Sequence, residues 1–172
     1  MGGNLWVESK LNVGTIFNFT LPYDSMKEST DNTKIFRPVK REYDWSNKII
    51  LVAEDVETNY HFLNAILTET KAKLIWARDG EETVKLCSDS ERVDIVLMDI
   101  QMPKLNGYDA ATQIKQINPN IRIIAQTAYA MPNDNIKCIE AGCDDYISKP
   151  LNSGLLLEKI DYQLQDLFKF HQ

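Results

Sequence analysis

Three carboxylates stand directly after apolar runs of the chain. Glu54 and Asp55 follow the run KIILVA, and Asp99 follows the run DIVLM. Carboxylates that lie side by side repel one another, so they need a cation in order to stay ionised together. Magnesium suits such a group, because it binds through one or two carboxylates and keeps several waters. If the fold brings these residues together, they predict a magnesium site.

A lysine and a threonine stand in matching positions. Lys149 follows the apolar run DYIS, and Thr127 follows the run RIIAQ, with the small residue Ala128 beside it. An aspartate can attack phosphorus and form an aspartyl phosphate, and the charged oxygens of the phosphoryl group then need cations and donors around them. The pattern therefore predicts phosphoryl transfer to a carboxylate, with the lysine and the threonine binding the phosphoryl oxygens and the alanine leaving room for them.

These residues need a fold that gathers them, and the apolar pattern predicts one. From Lys48 onward, five apolar runs of strand length alternate with segments of helical period. Strands of a parallel sheet that is covered on both faces read as continuous apolar runs, and ligands bind beyond their carboxyl ends. We therefore predict an α/β fold with a doubly wound, five-stranded parallel sheet. The predicted strands are residues 48–53, 73–77, 94–98, 122–126 and 145–148.

Residues 1–23 follow a different pattern. The runs NLWVES and TIFNFTLP flank a turn, and Phe17, Phe19 and Leu21 alternate with polar residues in the second run. This alternation predicts a β-hairpin with one apolar face. Because a lone hairpin is marginally stable in water, we expect it to be the end of another domain whose remainder lies upstream.

Residues 24–46 are expected to be a linker, because they are polar and weakly periodic. The aromatic residues Phe36, Tyr43 and Trp45 either pack on a neighbouring surface or lie exposed, and the sequence leaves both alternatives open. The predicted α/β domain then comprises residues 47–172.

Composition narrows the classes of function. The net charge of −6 argues against nonspecific binding to nucleic acid, which needs lysine and arginine to neutralise phosphates. Three cysteines without metal-ligand spacing and two histidines indicate reduced thiols in a cytoplasmic setting. No apolar run approaches the ~20 residues of a membrane-spanning helix. We expect a cytoplasmic segment, and whether its parent protein is anchored in the inner membrane is left open.

Four blocks of the sequence resemble the signature blocks of response-regulator receiver domains. These blocks are LVAEDVETN, VLMDIQMPKLNGYD, AQTAYA and DDYISKP, in this order, and the resemblance covers about residues 48–170. It implies the flavodoxin-like strand order 2-1-3-4-5. It also implies that an aspartate accepts a phosphoryl group from a histidine of a kinase or phosphotransfer domain.

The resemblance assigns roles to the residues of the acidic cluster. Asp99 matches the phosphorylated aspartate, which also contacts the metal. Asp55 matches the direct magnesium ligand, Glu54 the acidic neighbour that reaches the metal through water, and the backbone carbonyl of Gln101 the third protein ligand. Glu54 departs from the aspartate of many receivers, and its longer side chain is expected to change metal affinity modestly.

The remaining roles concern the phosphate and the response to it. Thr127 matches the switch hydroxyl, Ala128 its small neighbour, Lys149 the phosphate-binding lysine, and Tyr146 the aromatic residue whose rotamer follows the threonine. Phosphorylation is then expected to change a surface of the fourth and fifth strands and the last helix, and with it the affinity for partners. Whether such a partner is a second receiver, forming a homodimer, is left open.

The hairpin has a resemblance of its own. The runs MGGNLWVES and GTIFNFTLP resemble the last two strands of the ATP-binding domain of sensor histidine kinases, which in hybrid kinases precede a linker and a receiver. The parent protein is thus expected to be a hybrid histidine kinase. The nucleotide-binding boxes and the phosphorylatable histidine helix do not occur in this chain. We therefore expect it to have no kinase activity, only receiver self-phosphorylation and autodephosphorylation.

Two rival functions fit parts of the pattern. A phosphatase with an aspartate nucleophile carries a second aspartate two residues later as its general acid, and that position is Gln101 here. A receiver-like interaction module that is never phosphorylated would not need Asp99, Asp55 and Lys149 together.

Overall fold

The computed structural model describes residues 3–10, 14–20, 42–89, 92–128 and 132–166, with side chains throughout except in residues 132–135 and 166. The chain divides into two compact units, Met1–Lys40 and Arg41–Gln172.

The first unit contains the predicted antiparallel hairpin. Strand β1 spans Leu5–Lys10 and strand β2 spans Gly14–Phe19. The register pairs Leu5 with Phe19 and Val7 with Phe17, so these four apolar side chains share one face. All four are exposed. Leu21, which the sequence adds to this apolar face, lies outside the described residues.

The second unit contains a five-stranded parallel sheet with the strand order β4-β3-β5-β6-β7. Counted within the unit, this is the predicted flavodoxin-like order 2-1-3-4-5. The observed strands differ from the predicted ones by at most one residue at either end. They are β3 (Ile49–Ala53), β4 (Lys73–Ala77), β5 (Ile95–Asp99), β6 (Arg122–Thr127) and β7 (Asp145–Ser148).

Five helices join the strands and cover both faces of the sheet. They are α1 (Glu57–Thr68), α2 (Gly80–Asp89), α3 (Gly107–Ile117), α4 (Pro132–Glu140) and α5 (Ser153–Asp166). Leu63 of α1 and Leu156 of α5 pack on one face, and Cys87 of α2 and Ile114 of α3 pack on the other. The sheet is therefore apolar on both faces, which explains the continuous apolar runs in the sequence. Among the described residues, no helix combines the length and apolarity needed to cross a bilayer.

The α/β unit begins earlier than the sequence predicts. Trp45, placed in the linker by the sequence, is 4% exposed and packs in the same cluster as Leu63. Its amide donates to the Thr70 carbonyl oxygen at 2.8 Å, and the Tyr43 ring lies 5.1 Å from the Trp45 ring. Burial of a large aromatic side chain stabilises the fold, so this segment belongs to the α/β unit. The rest of the predicted linker, with Phe36, lies outside the described residues.

Candidate functional site

The carboxyl edge of the parallel sheet gathers the predicted acidic residues. Glu54 and Asp55 follow β3, and Asp99 is the last residue of β5. One carboxylate oxygen from each of these three residues lies within 4.8 Å of the other two. Neighbouring parallel strands end at the same edge, which is why residues so far apart in the sequence meet here. Asp55 is exposed, whereas Glu54 and Asp99 are buried.

Lys149, which follows β7, lies between the two buried carboxylates. Its Nζ atom is 2.6 Å from Asp99 Oδ2 and 3.0 Å from Glu54 Oε2. Burial disfavours the charged form of the lysine, but the hydrogen bonds with Asp99 and Glu54 outweigh it and raise the pKa of Lys149 above its ordinary value. The ammonium group is therefore charged at neutral pH and compensates the two carboxylates.

Glu54 is held by hydrogen bonds to its side chain and to its backbone. Its Oε1 atom accepts from Asn59 Nδ2 at 2.8 Å and from the Val56 amide at 3.3 Å. Its own amide donates to the Ala77 carbonyl oxygen at 3.0 Å, and its carbonyl oxygen accepts from Trp76 Nε1 at 2.8 Å. No role was predicted for Asn59 from the sequence. Its place five residues after Glu54, early in the next helix, is the signal that could have indicated one.

The backbone around Asp99 is closely packed. Asp99 Oδ1 accepts from the Gln101 amide at 3.1 Å, which places the residue of the predicted carbonyl ligand beside the acceptor. A Cβ atom on Gly107, the first residue of α3, would lie 2.2 Å from the Asp99 carbonyl oxygen. Helix α3 thus begins in direct contact with the backbone of Asp99.

The other predicted residues lie on β6 and β7. Thr127 ends β6 and is buried, and Ala128 after it is exposed. The Lys149 amide donates to the Thr127 carbonyl oxygen at 2.7 Å, which ties the end of β6 to the lysine. Tyr146 is half-buried in β7, and Lys159 Nζ lies 5.6 Å from the centre of its ring. The structure thus places Thr127 next to Lys149, and it places Tyr146 on β7, the strand that pairs with the strand of Thr127.

A match to a protein-family model assigns the chain to a family. The model described as "Response regulator receiver domain" matches residues 50–161, which is more than half of the chain. The chain belongs to this family. It is a phosphoryl-accepting domain of two-component signalling, as the sequence predicted.

Relatives and a solved structure agree with the assignment. Hybrid signal transduction histidine kinase I of Dictyostelium discoideum is 40% identical over 123 residues, which cover 67% of this chain and 7% of that protein. The sensor kinase/phosphatase LuxQ of Vibrio parahaemolyticus, named for autoinducer 2, is 30% identical over 174 residues, 98% of this chain and 20% of that protein. This chain therefore spans only a small part of either relative.

The solved structure is the receiver domain of the sensor histidine kinase PA1611 of Pseudomonas aeruginosa. It is 30% identical, with a TM-score of 0.64, over 69% of this chain and 98% of that one. That structure has a magnesium ion coordinated in its active-site cleft.

In this receiver domain, an ion pair between Lys104 and Asp79 joins the loop after Asp99 to the start of α2. Lys104 Nζ lies 2.5 Å from Asp79 Oδ2, and Asp79 also accepts from the Glu82 amide at 2.8 Å, at the start of α2. The hydrogen bond with Lys104, together with that from the Glu82 amide, lowers the pKa of Asp79. Helix α2 is thereby joined to the loop that carries Gln101, a connection that no pattern in the sequence predicts.

Proposed function

We propose that Asp99 accepts a phosphoryl group from a histidine, with magnesium held by Asp55, Glu54, Asp99 and the Gln101 carbonyl. The observation that carries this proposal is the contact of 2.6 Å between Asp99 Oδ2 and Lys149 Nζ inside a cluster of three carboxylates. A buried aspartate with a cation at one oxygen and a metal-binding group beside it has the surroundings that an attacking carboxylate needs.

The donor set fits magnesium. Three carboxylates and one ammonium group leave a formal charge of about −2, which a divalent cation balances. All side-chain donors are oxygen atoms, which is the ligand type that magnesium prefers, and exposed Asp55 leaves one side open to water and a phosphoryl group. When bound, the ion would neutralise charge on the phosphoryl oxygens.

The transfer step follows from this arrangement. An oxygen of the Asp99 carboxylate attacks the phosphorus atom of a phosphohistidine and forms the new P–O bond. The P–N bond breaks, and its electron pair stays on the imidazole nitrogen, which then takes up a proton. Lys149 exchanges its contact with the carboxylate for one with a phosphoryl oxygen, and the Thr127 hydroxyl donates to another, beside Ala128. Hydrolysis of the aspartyl phosphate resets the domain.

Phosphorylation changes the charge balance at the carboxyl edge. The phosphoryl group adds about two negative charges and draws Lys149 and Thr127 towards itself. Because the Lys149 amide is bonded to the Thr127 carbonyl, movement of either residue acts on the ends of β6 and β7. Tyr146, half-buried in β7, then changes its packing, and the surface formed with α4 and α5 changes its affinity for a partner. The exposed side chains Ile136 and Ile139 of α4 form part of this surface.

The parent protein is proposed to be a hybrid histidine kinase. The similarity to LuxQ extends over 98% of this chain and so includes the hairpin residues. In this interpretation residues 1–23 end the ATP-binding domain, and the phosphodonor is a kinase or phosphotransfer domain. Pairing of two receivers in a homodimer and anchoring of the parent in a membrane stay predictions about the longer protein.

The decisive experiment compares the wild-type chain with Asp99→Asn and with the control Asp145→Asn. Each protein is incubated with magnesium and acetyl phosphate, and the adduct is measured by intact mass spectrometry. We expect one phosphoryl group on the wild type and on the control, and none on Asp99→Asn. Beryllofluoride should bind with the same dependence on Asp99.

Two other results would contradict the proposal. Sustained turnover of a phosphomonoester would indicate a hydrolase. Absence of any adduct on the folded wild type would indicate an interaction module that is not phosphorylated.

A further inference from the structure

Two consecutive residues of the edge strand β4 hold both peptide groups of Glu54. The Glu54 amide donates to the Ala77 carbonyl oxygen at 3.0 Å, and the Glu54 carbonyl oxygen accepts from the indole Nε1 of Trp76 at 2.8 Å. The donor in the second bond is a side chain, because β3 has ended at Ala53 and backbone pairing stops there. Through Trp76, β4 therefore also binds the loop that carries Glu54 and Asp55.

The indole itself is fixed by its neighbours. Its ring stacks on the Tyr60 ring, with the centres 4.1 Å apart and the planes 3° from parallel. The Arg78 guanidinium carbon lies 4.5 Å from the centre of the indole. Aromatic stacking and cation–π contact both favour a single orientation of the ring. Tyr60 follows Asn59, whose side chain binds the Glu54 carboxylate, so the stack joins β4 to the turn of α1 that holds Glu54.

The bond from Trp76 also orients Asp55. The Glu54 carbonyl and the Asp55 amide form one planar peptide unit, so a donor that fixes the carbonyl fixes the plane from which Asp55 begins. In the part of the chain that the structure describes, the Asp55 carboxylate accepts no hydrogen bond. Its position therefore depends on its backbone. Magnesium demands near-ideal geometry of its ligands, so a fixed backbone favours binding.

We propose that Trp76 is a positioning residue for the metal site, which acts through the peptide between Glu54 and Asp55. This inference rests on the proposed function, because it assumes that these two residues hold a divalent cation. Trp76 itself touches neither the cation nor the phosphoryl group. Its indole N–H sets how well the loop is arranged before the cation arrives.

The test measures the dissociation constant for Mg²⁺ by NMR, from backbone amide shifts of the full chain. Trp76→Phe removes the indole donor and reduces the ring system to one ring, which can still stack on Tyr60. Loss of one hydrogen bond predicts that the dissociation constant rises about two- to tenfold. The matched control is Trp45→Phe, which also removes an indole donor. The Trp45 indole nitrogen lies 3.4 Å from Asp161 Oδ1. Trp45 precedes β3, so it lies at the amino ends of the strands, away from the acidic residues. Its dissociation constant should stay close to that of the wild type.

A third variant separates the inference from the proposed function. Asp55→Asn removes a direct ligand and should weaken Mg²⁺ binding more than Trp76→Phe does. If Asp55→Asn binds Mg²⁺ as the wild type does, the metal site is wrongly assigned and the inference falls with it. If Asp55→Asn loses binding while Trp76→Phe and Trp45→Phe bind equally well, the inference alone is wrong.

The wild type provides a measurement that needs no variant to fold. The indole N–H signal of Trp76 should shift during the Mg²⁺ titration together with the Asp55 amide, and that of Trp45 should not. A titration that saturates the Asp55 amide and leaves the Trp76 indole signal unmoved would overturn the inference.

Discussion

Lys149 is the residue that most directly compensates the buried carboxylates of the site. It lies within hydrogen-bonding distance of Asp99 and Glu54, whose side chains are 7% and 0% exposed. Removing the cation from such a group leaves two buried carboxylates uncompensated, which costs more than the loss of an exposed pair. The lysine thus has a structural role before phosphorylation, in addition to its proposed role at the phosphoryl group.

We predict that Lys149→Met lowers the free energy of unfolding by about 1–3 kcal/mol in the absence of metal. Added Mg²⁺ should restore more stability to the variant than to the wild type, because the ion replaces the missing positive charge. Urea unfolding with and without MgCl₂ measures both effects.

Lys159→Met is the matched control. The Lys159 side chain is 24% exposed, as that of Lys149 is, and it contacts a single carboxylate, Asp145, at 2.7 Å. We expect a smaller loss, below about 1 kcal/mol, and no dependence on Mg²⁺. Equal losses in the two variants would contradict a special role for Lys149.

At the scale of the elements, the starts of two helices shape the acidic edge. Helix α3 begins at Gly107 against the backbone of Asp99. Helix α2 begins beside Asp79, whose carboxylate binds Lys104 of the loop after β5. Both contacts act on the loop that carries the proposed metal ligand Gln101.

We predict that Gly107→Ala destabilises the domain by about 1–3 kcal/mol, because its Cβ atom would meet backbone atoms that cannot move aside cheaply. Gly154→Ala is the control, since its Cβ atom lies 3.4 Å from the nearest side-chain atom, inside α5. That change should be neutral or stabilising by up to about 1 kcal/mol. Urea unfolding measures both, and equal effects would contradict the close contact at Asp99.

The pair of Asp79 and Lys104 should make stability depend on pH. The folded pKa of Asp79 is lowered, so its contribution is fully present above the unfolded pKa of about 4 and is lost as the pH falls through the folded value. The stability difference between the wild type and Asp79→Asn should therefore be larger at neutral pH than in acid.

Urea unfolding at about pH 7 and about pH 3 tests this, since the first value lies above and the second below the unfolded pKa of an aspartate. Asp89→Asn, which changes an exposed aspartate at the end of α2, is the control. A wild-type advantage over Asp79→Asn that is the same at both pH values would argue against the ion pair.

At the scale of the whole molecule, the chain is two compact units, each described by its own contacts. The α/β unit buries apolar side chains on both faces of its sheet. The hairpin instead exposes the apolar face that contains Leu5, Val7, Phe17 and Phe19. A unit with its own core is expected to fold alone.

We predict that residues 42–172 alone unfold with a free energy within about 1 kcal/mol of that of the full chain. A shorter piece, residues 47–172, lacks Trp45 and Tyr43 and should be less stable by about 3–5 kcal/mol, the usual cost of removing a large buried aromatic side chain. Urea unfolding of the three chains measures this. Equal stability of the two pieces would restore the boundary that the sequence predicts.

The five strands, their alternation with helices, and the chemically active residues at the carboxyl ends of β3, β5, β6 and β7 could be predicted from the sequence. This was possible because a sheet buried on both faces requires continuous apolar runs, and because parallel strands end at a common edge. Asp99, Glu54, Asp55 and Lys149 could therefore be placed together before any coordinates were known. The prediction needed only the spacing of apolar residues along the chain and the order of the four signature blocks.

The residues that hold that group in place could be identified only from the contacts between distant elements. Trp45 stands in a polar stretch without periodicity, so its burial depends on a surface built by α1 and α5 far along the chain. Trp76 reaches the Glu54 carbonyl because β4 pairs with β3, and Lys104 reaches Asp79 because two loops meet at the same edge. Contacts of this kind leave no local pattern in the sequence, since each depends on where two distant elements come to lie.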